Sequence, residues 1–105
     1  MRRWKLDFTP KARIEYNEID GSIKPQVSKA IDKVLQNPVP LSEGGYGKPL
    51  GNKNNSKLAG CLKIKLKKSG VRVVYRLIRD GDIMKIIVIS VRDDDEVYKE
   101  AERRL

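Results

Sequence analysis

Residues 61–75 read CLKIKLKKSGVRVVY, and this segment constrains the fold more than any other. Leu62, Ile64 and Leu66 alternate with Lys63, Lys65 and Lys67, while Val73, Tyr75 and Leu77 alternate with Arg72 and Arg76. A two-residue period marks a strand with one face buried. Ser69-Gly70 between the runs is a turn signal, so the segment predicts a hairpin. Any register that matches the apolar sides places Lys63, Lys65, Lys67, Arg72 and Arg76 on the opposite face. A one-residue slip would turn a whole strand over. Facing like charges weaken a sheet, so this face is expected to hold an anion.

The rest of the chain supplies layers around that hairpin. Trp4, Leu6 and Phe8 alternate with Arg3, Lys5 and Asp7, predicting a first strand. Thr9-Pro10 reads as an N-cap with proline at the first helical position, and Ala12, Tyr16 and Ile19 give a short helical stripe ending near Asp20-Gly21. Ser22 is the expected cap of a second helix, whose stripe is Ile23, Val27, Ala30, Ile31, Val34 and Leu35 and which stops at Asn37-Pro38-Val39-Pro40. Residues 38–57 read as a long functional or mobile loop. After Asp80-Gly81, residues 83–91 are almost wholly apolar, as in a strand covered on both faces. Asp93 to Glu96 open a last helix with Val97, Ala101 and Leu105 inward, acidic at its start and ending in Arg103-Arg104, both favourable to the helix dipole. The order β-α-α-β-β-β-α predicts one α+β domain over residues 1–105: a mainly antiparallel sheet, helices packed on one face, cations on the other.

Composition narrows the partner. A net charge of +9 and a pI near 9.8 favour nucleic acid or another anionic surface. One cysteine allows no intrachain disulfide, which suits a reducing, cytoplasmic setting. With no histidine and a single cysteine, no familiar zinc site can be assembled, and no cofactor is expected. Cys61 reads as a small core residue. Charges follow Arg2-Arg3-Trp4, so neither a secretory signal nor a membrane span is expected.

Several segments, taken in order, resemble the RelE-type toxins of bacterial toxin–antitoxin pairs, within the RelE/ParE superfamily. They are Lys48-Pro49-Leu50, Leu58-Ala59-Gly60, Lys63-Ile64-Lys65-Leu66, Gly70, Arg72-Val73-Val74-Tyr75, Ile87-Val88-Ile89-Ser90-Val91 and Glu96-Val97-Tyr98. The resemblance implies a ribosome-dependent endoribonuclease that cuts messenger RNA in the decoding site and is blocked by a cognate antitoxin. It implies roles for Lys63, Lys65, Arg72, Arg92 and Tyr98.

Cleavage without metal uses the RNA's own 2′-hydroxyl as nucleophile. It needs a proton acceptor, a proton donor and positive charge on the transition state, work that histidines usually share. A lysine crowded by cations holds its proton less tightly, which makes Lys65 the candidate base. Arg72 and Arg92 suit a phosphate clamp, and Tyr98 suits base stacking or proton relay. Lys63, Lys67 and Arg76 are candidate RNA contacts, the last two closer to electrostatic background. Trp4 and Tyr75 read as core. One departure stands out: Asp93-Asp94-Asp95 follows Arg92 where relatives are often basic, so it is expected either to mask Arg92 or to cap the helix. Two other readings remain open at this point, a ParE-like toxin acting on DNA gyrase and an RNA- or ribosome-binding module with weakened catalysis.

Overall fold

The computed structural model describes residues 3–50 and 58–105. Strand β1 (Lys5–Phe8) leads into α1 (Pro10–Asn17) and α2 (Lys24–Leu35). A short 3-10 turn (Leu41–Glu43) and the two-residue strand β2 (Lys48–Pro49) precede the hairpin of β3 (Cys61–Lys65) and β4 (Arg72–Ile78). Then come β5 (Ile83–Ser90) and α3 (Asp94–Arg104). The sheet runs β1-β5-β4-β3-β2. All neighbours are antiparallel except β1, which lies parallel to β5. The expected α+β class and element order therefore hold, with β2 as an addition inside the long loop. That loop is defined over residues 38–50, and residues 51–57 lie outside the described residues.

Local chemistry accounts for most boundaries. Thr9 caps α1 through its side-chain oxygen, which accepts from the Ala12 N–H. Ser22 does not cap α2: its N–H and hydroxyl both donate to Asp20 Oδ1, and Ile23 takes the cap position without a side-chain bond. The acidic side chain two residues earlier outcompetes the helix for the serine. The hairpin register pairs Leu62 with Tyr75, Ile64 with Val73 and Lys65 with Arg72. Its turn begins at Lys67, and Gly70 takes a φ of 77°, a left-handed conformation that glycine adopts without strain.

Two cores sandwich the sheet. On one face α1 and α2 bury Ala12, Val27 and Ile31 against Leu62, Ile64, Val73, Tyr75, Met84 and Ile86. Tyr75 is fully buried and its hydroxyl donates to the Pro38 carbonyl at 2.8 Å, tying the end of α2 to the sheet. Trp4 belongs to this core. On the other face α3 buries Val97, Tyr98 and Ala101 against Cys61, Val74, Ile87 and Val88. The expectation that the helices share one face thus holds for α1 and α2 but not for α3. The cationic face also carries Cys61, Val74 and Val88, and this apolar patch recruits a helix of its own. Leu105, expected inward, is 38% exposed, and Tyr98 takes the inner place instead.

Strand β1 ends at Phe8, opposite Ile86, which leaves the outer edge of β5 without a strand partner farther on. Two side chains complete it. Glu15 Oε1 accepts from the Ile89 N–H at 3.0 Å, and Arg104 Nη1 donates to the Ile87 carbonyl at 2.7 Å. Arg104 also grips Glu15 through both terminal nitrogens and Glu100 through Nε. Among the described residues no helix is long and apolar enough to cross a membrane.

Candidate functional site

Because α3 crosses the cationic face, its first turn lands on the Lys65–Arg72 pair of the hairpin. Arg72 Nε donates to Asp94 Oδ1 at 2.5 Å, and Lys65 Nζ lies 4.0 Å from Asp94 Oδ2. One carboxylate thus engages both cations, one oxygen each. Arg72 is further fixed by Nη1, which donates to the carbonyls of Gly70 and Arg92. Its side chain is only 19% exposed, against 41% for Lys65. Lys63, one step along the same face, donates from Nζ to the Tyr98 hydroxyl at 3.2 Å, with Nζ 5.9 Å from the ring centroid. The Tyr98 ring itself is buried in the second core. Packing buries the ring, which therefore is not presented for stacking on a base, while its hydroxyl reaches the lysine.

Lys63, Lys65 and Arg72 are therefore gathered on one patch, as the alternation implies, and the unexpected path of α3 adds Tyr98 to it. The other candidates lie elsewhere. Lys67 is in the turn beyond β3, exposed and outside the ladder. Arg76 shares the face but sits at the far end of β4 from Arg72, opposite Cys61 and Lys85. Its charge opposes burial at the Cys61 thiol, where desolvation dominates and raises the pKa. Arg92 follows β5, and its backbone, rather than its guanidinium, joins the patch through the carbonyl that Arg72 grips. Arg92 also lines a separate cleft of about 210 Å³ with Glu96, Glu100 and Arg104.

The acidic run behaves differently from either expectation taken alone. Asp93 caps α3, its side chain accepting from the Glu96 N–H at 2.9 Å. Asp94 does mask a cation, but the cations masked are Arg72 and Lys65, not Arg92. The masking was legible in the charges, while its target depended on which face α3 covers. Sequence reasoning counted Lys48 in the resemblance but gave it no role; it pairs across the ladder with Lys63 and extends the basic patch to the edge of the sheet.

Comparison with known proteins agrees with this architecture. No family model matches the chain. The mRNA interferase toxin RelE of Escherichia coli K12 is 31% identical over 100 residues, 95% of each chain. A putative RelE-like toxin protein of E. coli is 30% identical over 107 residues, 98% of each. Among solved structures, a doubly substituted mutant of the E. coli toxin RelE in the free state superposes with a TM-score of 0.75 at 28% identity, covering 100% of this chain and 99% of that one. The same mutant in complex with an antitoxin RelBc peptide gives a TM-score of 0.68 at 29% identity, covering 98% of both chains. With sequence identity spread over nearly the full length of both partners and the same fold beneath it, the chain belongs to the RelE family of toxins.

Proposed function

We propose that this chain is a ribosome-dependent mRNA endoribonuclease that inhibits translation and is neutralised by a cognate antitoxin. The observation that carries the proposal is the convergence of Arg72 and Lys65 on a single oxyanion group, with the Lys63–Tyr98 pair beside it. Asp94 supplies that oxyanion here, and the phosphodiester of RNA offers the same single charge on two oxygens, with further charge growing only in the transition state. The names of the related toxins support the activity, and the peptide complex of the related toxin supports the antitoxin.

In this mechanism the scissile phosphate displaces Asp94. Arg72 then places its guanidinium on the non-bridging oxygens and stabilises the charge that grows there. Lys65, as the neutral amine, accepts the 2′-hydroxyl proton; the 2′-oxygen attacks phosphorus, the 5′-oxygen leaves, and a 2′,3′-cyclic phosphate remains. Lys63 neutralises the backbone and orients the Tyr98 hydroxyl as a relay to the leaving oxygen. Arg92 steadies Arg72 through its carbonyl, and Lys67 and Arg76 add attraction from the rim. No proton donor in this set is strong, so positioning by the ribosome carries much of the rate; orientation contributes up to about 7–11 kcal/mol in favourable cases. Ribosomes programmed with a defined message test the proposal: a new 5′ end inside the decoding-site codon is expected. Equal cleavage of free message would overturn the ribosome dependence.

The contact at Asp94 also favours a second reading, a ribosome-binding module held catalytically weak by its own carboxylate. Asp94→Asn separates the two. The ion pair is part-exposed, with Asp94 39% accessible, so it is worth about 0.5–1.5 kcal/mol. Its loss should raise the initial cleavage rate by about 2- to 10-fold. The loss of an acidic group from the first turn of α3 should lower stability by a few tenths of a kcal/mol, about 0.3–1. A parallel loss of cleavage would show instead that Asp94 positions Arg72 for the reaction. Cleavage by Asp94→Asn alone, with none by the unsubstituted protein, would establish the second reading.

A further inference from the structure

A groove runs around the open edge of β3. Strand β2 pairs only with Lys63 and Leu62, so Ile64 and Lys65 have no strand outside them among the described residues. The groove has a volume of about 270 Å³ and is lined by Lys33, Leu41, Tyr46, Lys48, Lys63 and Lys65, with Ala30, Val34 and Ile64 as its floor. Among the described residues, four of those lining it are lysines and none is a carboxylate. Tyr46 is 48% exposed and Leu41 57%, while Lys33 Nζ sits 5.6 Å from the Tyr46 ring centroid.

The loop that carries Tyr46 is rigidly built. The Tyr46 N–H donates to the Asn37 carbonyl, the Gly47 N–H to Val39, and the Leu41 N–H to the Gly47 carbonyl, all at 2.9 Å. A Cβ on Gly45 would lie 2.2 Å from the Val39 oxygen, and one on Gly47 would lie 2.7 Å from the Tyr75 hydroxyl. Both neighbours of Tyr46 must therefore be glycine for the loop to pack this closely. The fold commits a buried tyrosine, two close glycine contacts and a set of backbone bonds to holding one exposed ring in place. A ring presented on fixed backbone loses little freedom when a planar group stacks on it.

We propose that this groove is a nucleotide subsite, in which the Tyr46 ring stacks on an unpaired base of the message next to the cleaved step while Lys33 and Lys48 hold its phosphates. The inference rests on the endoribonuclease reading, because Lys63 and Lys65 line both the groove and the proposed centre and so make one continuous track for a single strand. Aromatic stacking flanked by lysines is the chemistry by which proteins grip single-stranded RNA. An acidic peptide would satisfy the lysines but has no equivalent use for an exposed ring.

The test is fluorescence anisotropy with a 2′-O-methyl RNA of about eight nucleotides, which lacks the nucleophile and is not cut. Tyr46→Ala should weaken binding about 5- to 100-fold, the loss expected for one stacked base. Tyr46→Phe should bind as the unsubstituted protein does. On an abasic version of the strand, Tyr46→Ala and the unsubstituted protein should bind alike. Lys48→Ala should reduce the salt slope by about 0.7 for the one phosphate lost. Tyr46 is on the surface, so its removal should leave the unfolding temperature unchanged. Intact RNA affinity in Tyr46→Ala, with cleavage still lost in Arg72→Ala, would overturn the subsite and leave the endoribonuclease standing. Absence of cleavage by the unsubstituted protein on programmed ribosomes would remove both. Selective loss of antitoxin binding by Tyr46→Ala would also overturn the proposal, reassigning the surface to a protein partner.

Discussion

Arg72→Ala is expected to lower message cleavage on programmed ribosomes by about 100- to 1000-fold, the usual cost of removing one preorganised donor from a developing oxyanion. Arg72 Nη1 is held by the carbonyls of Gly70 and Arg92, which aims its fork before substrate arrives. Lysine at this position would restore the charge without the fork, so Arg72→Lys should recover only a small part of the rate. The same substitutions release the carbonyls of Gly70 and Arg92 and free Asp94 from its cation. These groups are partly solvated, so the stability loss should stay near 1–2 kcal/mol, and assays well below the unfolding temperature separate the two effects. Lys65→Ala should lose cleavage on a similar scale, since general bases contribute about 100- to 10,000-fold, but it should barely alter stability because Lys65 is half-exposed and 4.0 Å from the Asp94 carboxylate. If Arg72→Ala unfolds at a lower temperature yet cuts message at the original rate when folded, Arg72 is a structural strut and the clamp belongs elsewhere.

The hairpin face could be read in advance because its information is local. Strand periodicity fixes which side chains share a side, and the observed pairing of Lys65 with Arg72 is one of the registers that match the apolar faces. Where the chemistry depended on an element far along the chain, the sequence was silent. The path of α3 is decided by Cys61, Val74 and Val88, residues spread over three strands, whose shared apolar patch appears only after the sheet is assembled. From that path follow the burial of Tyr98, the grip of Asp94 on Arg72 and the placing of Arg92 in a different cleft. The short strand β2 was hidden for another reason: two residues, one of them proline, have no periodicity to detect. Lys48 and Tyr46, which that segment positions, consequently looked like loop residues.

Arg104→Ala should destabilise the fold by about 2–3 kcal/mol, somewhat less than the roughly 3–5 kcal/mol seen when one partner of a fully buried pair is removed, because Glu15 keeps 27% of its side-chain surface. For a domain of this size that is on the order of a 10 °C fall in Tm or more. The cost arises from three places at once. Glu15 loses both bonds to the guanidinium while still facing the Ile89 N–H. Glu100 loses its bond to Nε. The Ile87 carbonyl, on the edge of β5 beyond β1, loses its strongest donor. Glu100 gives the prediction a pH signature. Hydrogen bonds from Arg103 and Arg104 hold its carboxyl down to about 2, below the ordinary value of 4.5. A depressed carboxylate contributes stability that is complete above its unfolded pKa and fades as pH falls through the folded one. The difference in Tm between the unsubstituted protein and Arg104→Ala should therefore be constant above about pH 5 and narrow as pH drops toward 2. Glu15→Gln supplies the control, since its amide oxygen can still accept from Ile89 while the charge pair is lost; it should fall between the two. The latch also bears on the proposed chemistry. Arg104 pins the last turn of α3 and Arg72 pins the first, so between them they set where Tyr98 lies against Lys63. Loosening the far end should reduce cleavage only modestly if Arg72 alone fixes the catalytic end, and steeply if α3 moves as one rigid rod. Equal Tm values for Arg104→Ala and the unsubstituted protein would show that the edge of β5 is satisfied by water as well as by the arginine.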